Sequence, residues 1–313
     1  MSRLNFQCKR RVDPVKIRRK QAFIENVAGY LFILPSFLGF AVFFLFPVLF
    51  SLFLSLCKWN LAGGFANIDF VGFENFKSIM RDVWFTDSMK NSLIFTAATV
   101  CIGVAAALVL AVVLNKSVYG KNTLRVLFFL PYISSAVAVA MVWSIILQPT
   151  YGPVNQFLKS VGIQNAPNWL ADVHWALPAL IGMYIWQNLG YNIVVYMAGL
   201  TAISSDLYEA ANIDGAGPLT KFFKITIPMV SPTTFFLVIM GIINSFKVFD
   251  QVQVLTQGGP GTSTTVLALY IYREAFQFYD MGFASAAAWA MFVIIFIVTI
   301  IQWIGQKRWV TYD

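Results

Sequence analysis

The chain has 313 residues, of which 58% are hydrophobic and only 12% charged, with 22 basic and 14 acidic side chains and a formal net charge of +8. Mean hydropathy is +0.70, and soluble domains carry nearer 25% charged residues. A water-soluble globule of this size cannot cover so much apolar surface, and the same figures exclude a disordered chain, a collagen and a disulfide-stapled secreted scaffold.

A membrane span needs about 20 mostly apolar residues. Charge-sparse runs at 30–56, 91–114, 126–147, 176–200, 232–256 and 282–305 predict six of them, hence an all-α membrane protein. Residues 1–27 form a basic leader, and 28–313 the spanning domain. The first apolar run is too long for the core of a signal peptide, so it reads as a retained helix. Pro35 and Pro47 are expected to kink it or mark its ends. The fifth run alone carries charge, Lys247 and Asp250, toward its C-terminal end.

Lys and Arg fix orientation. With the N-terminus inside, the inner segments hold 15 basic and 6 acidic residues, and the outer ones 7 and 8. Both termini are therefore expected in the cytoplasm. The leader (Arg10, Arg11, Lys16, Arg18, Arg19 and Lys20) reads as an orientation signal against anionic lipid and needs no nucleic acid.

Outer residues 57–90 place Trp59, Phe70, Phe73 and Phe76 among polar residues, as in a short folded or interfacial element. In 148–175, Gln148-Pro149, Gly152-Pro153 and Trp169 read as turns and interface anchors. Catalytic chemistry has little to work with. Cys8, Cys57 and Cys101 show no CxxC spacing, and His174 is the only histidine. No zinc set, nucleophile elbow or Walker A loop is present, so no cofactor is implied and any ATP binds to another chain.

Residues 201–231 are the most informative. They run Tyr208-Glu209-Ala210-Ala211-Asn212-Ile213-Asp214-Gly215-Ala216-Gly217-Pro218, then Phe222, Ile225 and Ile227-Pro228-Met229-Val230-Ser231-Pro232. This predicts a helix, a turn and a second helix. Ser204 to Asp206 offer N-cap oxygens, and Asp206 with Glu209 fits a capping box. Gly215 ends the first helix and Pro218 opens the second. Leu219, Phe222, Phe223 and Ile227 can share one face, with Lys221 and Lys224 elsewhere. On periodicity alone this is equally an ordinary inter-span loop with an amphipathic surface helix.

The order Glu-Ala-Ala, two residues, Asp-Gly-Ala, then an apolar stretch closing on Pro228 and Pro232 resembles the EAA loop of binding-protein-dependent ABC importer permeases. Phe249-Asp250, Leu255-Thr256-Gln257-Gly258-Gly259-Pro260, Tyr270-Ile271-Tyr272, the Ala284 to Trp289 helix and the Lys307-Arg308-Trp309-Val310 tail extend the likeness. It is closest to the carbohydrate-type permeases of maltose, glycerol-3-phosphate and multiple-sugar importers, in a compact six-span form.

That resemblance implies a type I ABC importer permease fold in a bacterial plasma membrane. It also implies three kinds of partner: a second homologous permease, two ATP-binding subunits and an external solute-binding protein. Glu209, Ala210, Ala211, Asp214, Gly215 and Ala216 would then couple to the ATPase: Glu209 by pairing with a basic residue, the alanines by close approach, Gly215 by making the turn. Asn188, Tyr191, Gly241, Asn244, Ser245, Lys247, Val248 and Asp250 would line the substrate path for a sugar or oligosaccharide, with a phosphorylated polyol as the alternative. Asn188 and Asn192 are equally suited to hydrogen bonds between helices, Lys247 and Asp250 to an ion pair at i, i+3. Trp143, Trp186 and Trp289 read as packing residues, Gly258-Gly259-Pro260 as a turn and His174 as the start of a helix. A stand-alone secondary transporter would need internal repeats and mid-membrane carboxylates, of which only Asp250 is available. A membrane enzyme would need a catalytic cluster.

Overall fold

The computed structural model describes residues 14–64, 67–115 and 120–311, with side chains from residue 26 onward except Lys121. Arg3, Lys9, Arg10 and Arg11 of the leader, and Lys116, lie outside the described residues. The chain divides into two compact units, Met1–Phe53 and Leu54–Asp313.

In the first unit, α1 (Pro14–Phe40) runs through Pro35 and passes by a π-helical turn, Ala41–Leu45, into α2 (Phe46–Ser55). Pro35 therefore does not end the helix. The disruption falls just before Pro47, which has no N–H to donate, and the widened turn absorbs it.

The second unit opens on a small element that departs from a purely helical fold. Strands β1 (Cys57–Lys58) and β2 (Asp69–Phe70) pair antiparallel, Cys57 opposite Phe70. Asn75, on α3 (Glu74–Ile79), is buried and donates to the carbonyls of Ser55 and Cys57 at 2.9 and 2.8 Å. That one amide thereby ties α3 to the start of β1 at a buried corner. Phe70 and Phe73 are exposed, as expected of an interfacial element.

The core is built on α4 (Val83–Asn115) and α8 (Ala176–Thr201). α4 begins eight residues before the expected span. Ser92 Oγ accepts from the Leu267 amide, Asn91 donates to the Thr262 and Thr265 carbonyls, and Asp87 accepts from Thr262, so its first turns are held by the 256–267 loop. Hydrophobic drive is weak between helices in lipid, and small residues and shared hydrogen bonds take its place. Ala107 and Ala111 are fully buried against Ile193, Tyr196 and Leu237. Tyr196 donates to Thr234 at 2.9 Å.

Two expected spans are broken. The third consists of α5 (Lys121–Ile133) and α6 (Ala136–Ile146), bent by 100° at two serines. Ser134 and Ser135 have extended backbone, and Ser134 Oγ turns back to the Leu130 carbonyl at 3.0 Å. After α7 (Pro153–Ser160) and α8 come α9 (Ser205–Ile213), α10 (Pro218–Lys221), a π-helical turn at Phe222–Thr226, α11 (Ile227–Met229) and α12 (Ser231–Phe246). Pro218–Met229 and Ser231–Phe246 meet at 65°. α12 stops at Phe246, ten residues short of the expected end of the fifth span, and α13 (Asp250–Leu255) follows a break at Lys247–Phe249. α14 (Leu267–Tyr272), a third π-helical turn (Arg273–Gln277) and α15 (Met281–Gly305) complete the chain. Among the described residues, three helices are long and apolar enough to cross a membrane, or five if each bent pair is one span. α8, at 26 residues, has the length, but Gln187, Asn188 and Asn192 dilute its apolarity.

Candidate functional site

Both breaks open on the same place. A cavity of about 370 Å³ is lined by Tyr132 and Ala136 across the α5–α6 bend, by Tyr184, Gln187 and Asn188 of α8, and by Asn244, Lys247, Val248, Phe249, Asp250 and Gln251 across the α12–α13 break. A narrow void of about 40 Å³ continues from it past Thr99, Gly103, Tyr191, Asn192 and Gly241, sharing Tyr132, Tyr184, Asn188 and Asn244. Irregular backbone at membrane depth is tolerated where it lines such a cavity.

Six of the eight residues expected on a substrate path meet on these walls by their side chains or, for Gly241, by its backbone. Tyr191 stacks on Tyr132, ring centroids 4.8 Å apart. Asn188 donates to the Tyr184 carbonyl of its own helix at 2.9 Å rather than bridging to a neighbour. Asn244, Lys247 and Asp250 are exposed to the cavity. Among the described residues no ion pair joins Lys247 to Asp250, because the helix that would have set them one turn apart ends between them. Two residues are placed otherwise. Ser245 is buried, and its hydroxyl is hydrogen-bonded with Thr96 Oγ1 and with the Ile242 carbonyl, both at 3.0 Å, away from the walls. Val248 touches the cavity, but its side chain is buried in a cluster with Phe95, Leu177 and Leu180.

Several wall residues escape the sequence reading, Tyr132, Tyr184 and Gln251 among them. Gln251 donates to Gln187 Oε1 at 3.1 Å, a buried amide pair that fixes α13 on α8. Tyr132 and Tyr184 stand in apolar runs, where tyrosine reads as an interface residue. Trp143 against Trp186, at 5.6 Å edge to face, is packing as expected.

At the Asn115 end of α4 lies the exposed helix pair. α9 is capped by Ser204, whose hydroxyl accepts from the Asp206 amide at 3.3 Å; Asp206 sits in the first turn, so the capping box centred on it does not form. Gly215, at φ +71°, closes a Schellman motif: Ala216 N–H reaches the Ala211 carbonyl at 2.8 Å and Gly215 N–H the Asn212 carbonyl at 3.1 Å. Glu209, Ala210, Asp214 and Gly215 are exposed, while Ala211 and Ala216 are half-buried. Leu219 and Phe223 point to solvent and Phe222 and Ile227 are partly covered, so the four do not share one face. The π-helical turn offsets the register between them. Ile213, Leu219 and Phe223 leave the pair with apolar side chains 61–88% exposed.

The opposite, Val83 end carries an acidic cavity of about 460 Å³ lined by Asp82, Trp84, Tyr270, Arg273, Glu274, Gln277 and Phe278. Asp82 accepts from the Trp84 amide and the Tyr270 hydroxyl, and Asp280 caps α15 by accepting from Phe283 N–H. Partial burial and the facing charges of Asp82 and Asp280 push Glu274 up to about 7.

The sequence signature described as the inner membrane component of binding-protein-dependent transport systems matches residues 99–310. The chain belongs to this family. The permease is 36% identical to the Bacillus subtilis ABC transporter permease YesP over 293 residues, 92% of this chain and 93% of that one. It is 32% identical to the sn-glycerol-3-phosphate permease UgpA of Yersinia enterocolitica over 287 residues, covering 91% and 95%. The starch degradation products permease AmyD of Thermoanaerobacterium thermosulfurigenes is 32% identical over 296 residues, covering 93% and 98%. A crystal structure of a bacterial ABC transporter for the acidic polysaccharide alginate contains a chain with TM-score 0.79 and 26% identity, covering 93% of the permease and 99% of that chain. A chain of the same kind of transporter, bound to a periplasmic protein holding an alginate pentasaccharide, matches with TM-score 0.78 and 25% identity, covering 92% of the permease and 96% of that chain. The permease is thus a carbohydrate-type ABC importer subunit with the type I fold. Such membrane subunits are not themselves enzymes, ATP hydrolysis residing on a separate subunit.

Proposed function

We propose that the permease forms half of the translocation path for a neutral sugar or oligosaccharide, driven from the cytoplasm through the 201–231 loop. The observation that carries this reading is the convergence of two broken helices on one cavity walled by amides and phenols. Hydroxyl-rich ligands are held by amide and carboxylate hydrogen bonds and by aromatic faces. Asn188, Asn244, Tyr191, Gln187 and Asp250 supply these groups. Lys247 and Asp250 together give the cavity no net charge. A second homologous permease completes the path, a pair of ATPase subunits receives Glu209, Ala210, Ala211, Asp214, Gly215 and Ala216, and a solute-binding protein delivers from outside. The permease crosses the bacterial plasma membrane six times with both termini inside, its basic leader and inner loops against anionic lipid.

A phosphorylated polyol is the second reading, favoured by the cavity lysine that has no carboxylate at ion-pair distance among the described residues. Uptake into proteoliposomes containing the co-purified importer separates the two. For a neutral sugar, Lys247→Gln raises KM no more than about tenfold, the worth of one hydrogen bond, and Asn188→Ala does the same. A loss of two orders of magnitude confined to Lys247→Gln identifies an anionic substrate and refutes the neutral-sugar reading.

A further inference from the structure

The coupling loop stands off the helix bundle. Between it and the ends of α4 and α8 lies a cavity of about 360 Å³, walled by Val112, Asn115 and Leu200 on one side and by Tyr208, Pro218, Lys221, Phe222 and Thr226 on the other. No protein atom fills this space, so α9 does not press on the bundle across it. No residue of α9 is buried. Its covalent link to α10 runs through Gly215 and Gly217, and a Cβ built at either would meet nothing within 4 Å. The turn is held by the two Schellman hydrogen bonds within 211–216, which reach no further than Ala216. Among the described residues, two side-chain hydrogen bonds join α9 to the segment that leads into the fifth span. The Tyr208 hydroxyl and Thr226 Oγ1 are hydrogen-bonded at 3.0 Å, and Lys221 Nζ donates to Asn212 Oδ1.

We propose that these two side-chain clasps, Tyr208 to Thr226 and Asn212 to Lys221, make the helix pair one rigid lever and carry ATPase motion into the fifth span. All four are positioning residues. The Tyr208 clasp does more, because its far end is fixed. Thr226 is buried and ends the π-helical turn. From there the chain continues through α11 to Ser231, whose hydroxyl donates to the Pro228 carbonyl at 2.6 Å and accepts from the Thr311 amide at 2.9 Å. Tyr208 thus grips a point that belongs mechanically to α12, and α12 carries Gly241 and Asn244 on the cavity walls. The proposal rests on the coupling reading above, to which it adds the load path.

The test uses the complete importer in proteoliposomes and reads substrate transported per ATP hydrolysed. Tyr208→Phe is expected to lower that ratio roughly threefold to tenfold, as loss of one hydrogen bond allows, with undiminished recovery of the ATPase on co-purification. Thr226→Ser keeps the hydroxyl and should restore the ratio that Thr226→Val loses. The double variant Tyr208→Phe/Thr226→Val should be no worse than either single one, since both remove the same bond. Tyr208→Phe is the smallest of these changes, and it decides the matter should Thr226→Val fail to assemble. A wild-type ratio in Tyr208→Phe, or Thr226→Ser as impaired as Thr226→Val, overturns the clasp. Glu209→Ala and Gly215→Pro serve as controls: if they uncouple while Tyr208→Phe does not, the clasp alone is wrong. If none of the three changes the ratio, the coupling reading falls with it.

Discussion

Glu274 is the residue whose charge the protein controls most visibly at its Val83 end. Its usual carboxyl pKa of 4.5 rises to about 7, through burial first and then the charges of Asp82 and Asp280. The folded state therefore holds this proton more tightly than the unfolded chain does. The contribution to stability is full below about pH 4.5, declines as the pH climbs to about 7 and is flat above. Thermal unfolding of the detergent-solubilised permease should show a higher midpoint at pH 5.5 than at pH 8. Glu274→Gln should flatten that difference and raise the midpoint at pH 8, and an unchanged pH difference in the variant contradicts the assignment. None of this was legible in sequence, because Asp82 lies far along the chain from the neighbouring Glu274 and Asp280. The amides were easier. Asn188 and Asn244 stand out as costly polar groups in apolar runs, and both reach the cavity. Ser245 stands out equally and faces the other way, since a hydroxyl can satisfy itself on its own helix, here at the Ile242 carbonyl.

At the scale of elements, hydropathy found the apolar segments but not their bends, because it reads composition and not direction. The serine pair in the third segment is as apolar-tolerant as any short polar pair, yet it turns the helix by 100°. The helix pair at 205–229 was legible in more detail, since a cap, an αL glycine and an N1 proline are local devices. The closest helix contact was not. Gly190 of α8 lies so near α5 that a Cβ there would stand 1.9 Å from the Phe128 carbonyl oxygen and 2.8 Å from the Phe129 Cα, which is backbone that cannot rotate away. Gly190→Ala should destabilise the protein by about 1–3 kcal/mol or more, read as a lower unfolding midpoint and reduced yield from membranes. Gly29→Ala, where nothing lies within 4 Å, should leave both unchanged. Equal behaviour of the two variants refutes the close contact.

For the whole molecule, the proposed topology of six crossings with both termini inside predicts that a C-terminal reporter active only in the cytoplasm is fully active. A reporter fused after residue 163, in the loop following α7, should be inactive. The reverse pattern overturns the orientation drawn from the basic residues. The EAA motif made the family legible, because it is one continuous run of residue types, whereas the cavity is assembled from single residues on several helices. The π-helical turns at Ala41–Leu45, Phe222–Thr226 and Arg273–Gln277 have a consequence of another kind. Each holds one residue more than an α-helix would use, so each is a place where the gene can lose a codon without breaking a helix. Deleting one residue within 222–226 would leave a continuous α-helix, turned by about 100° and shortened by about 1.5 Å. Every side chain upstream would then face elsewhere relative to α12, so the deletion would yield a stable membrane protein in which α9 and the cavity no longer move together.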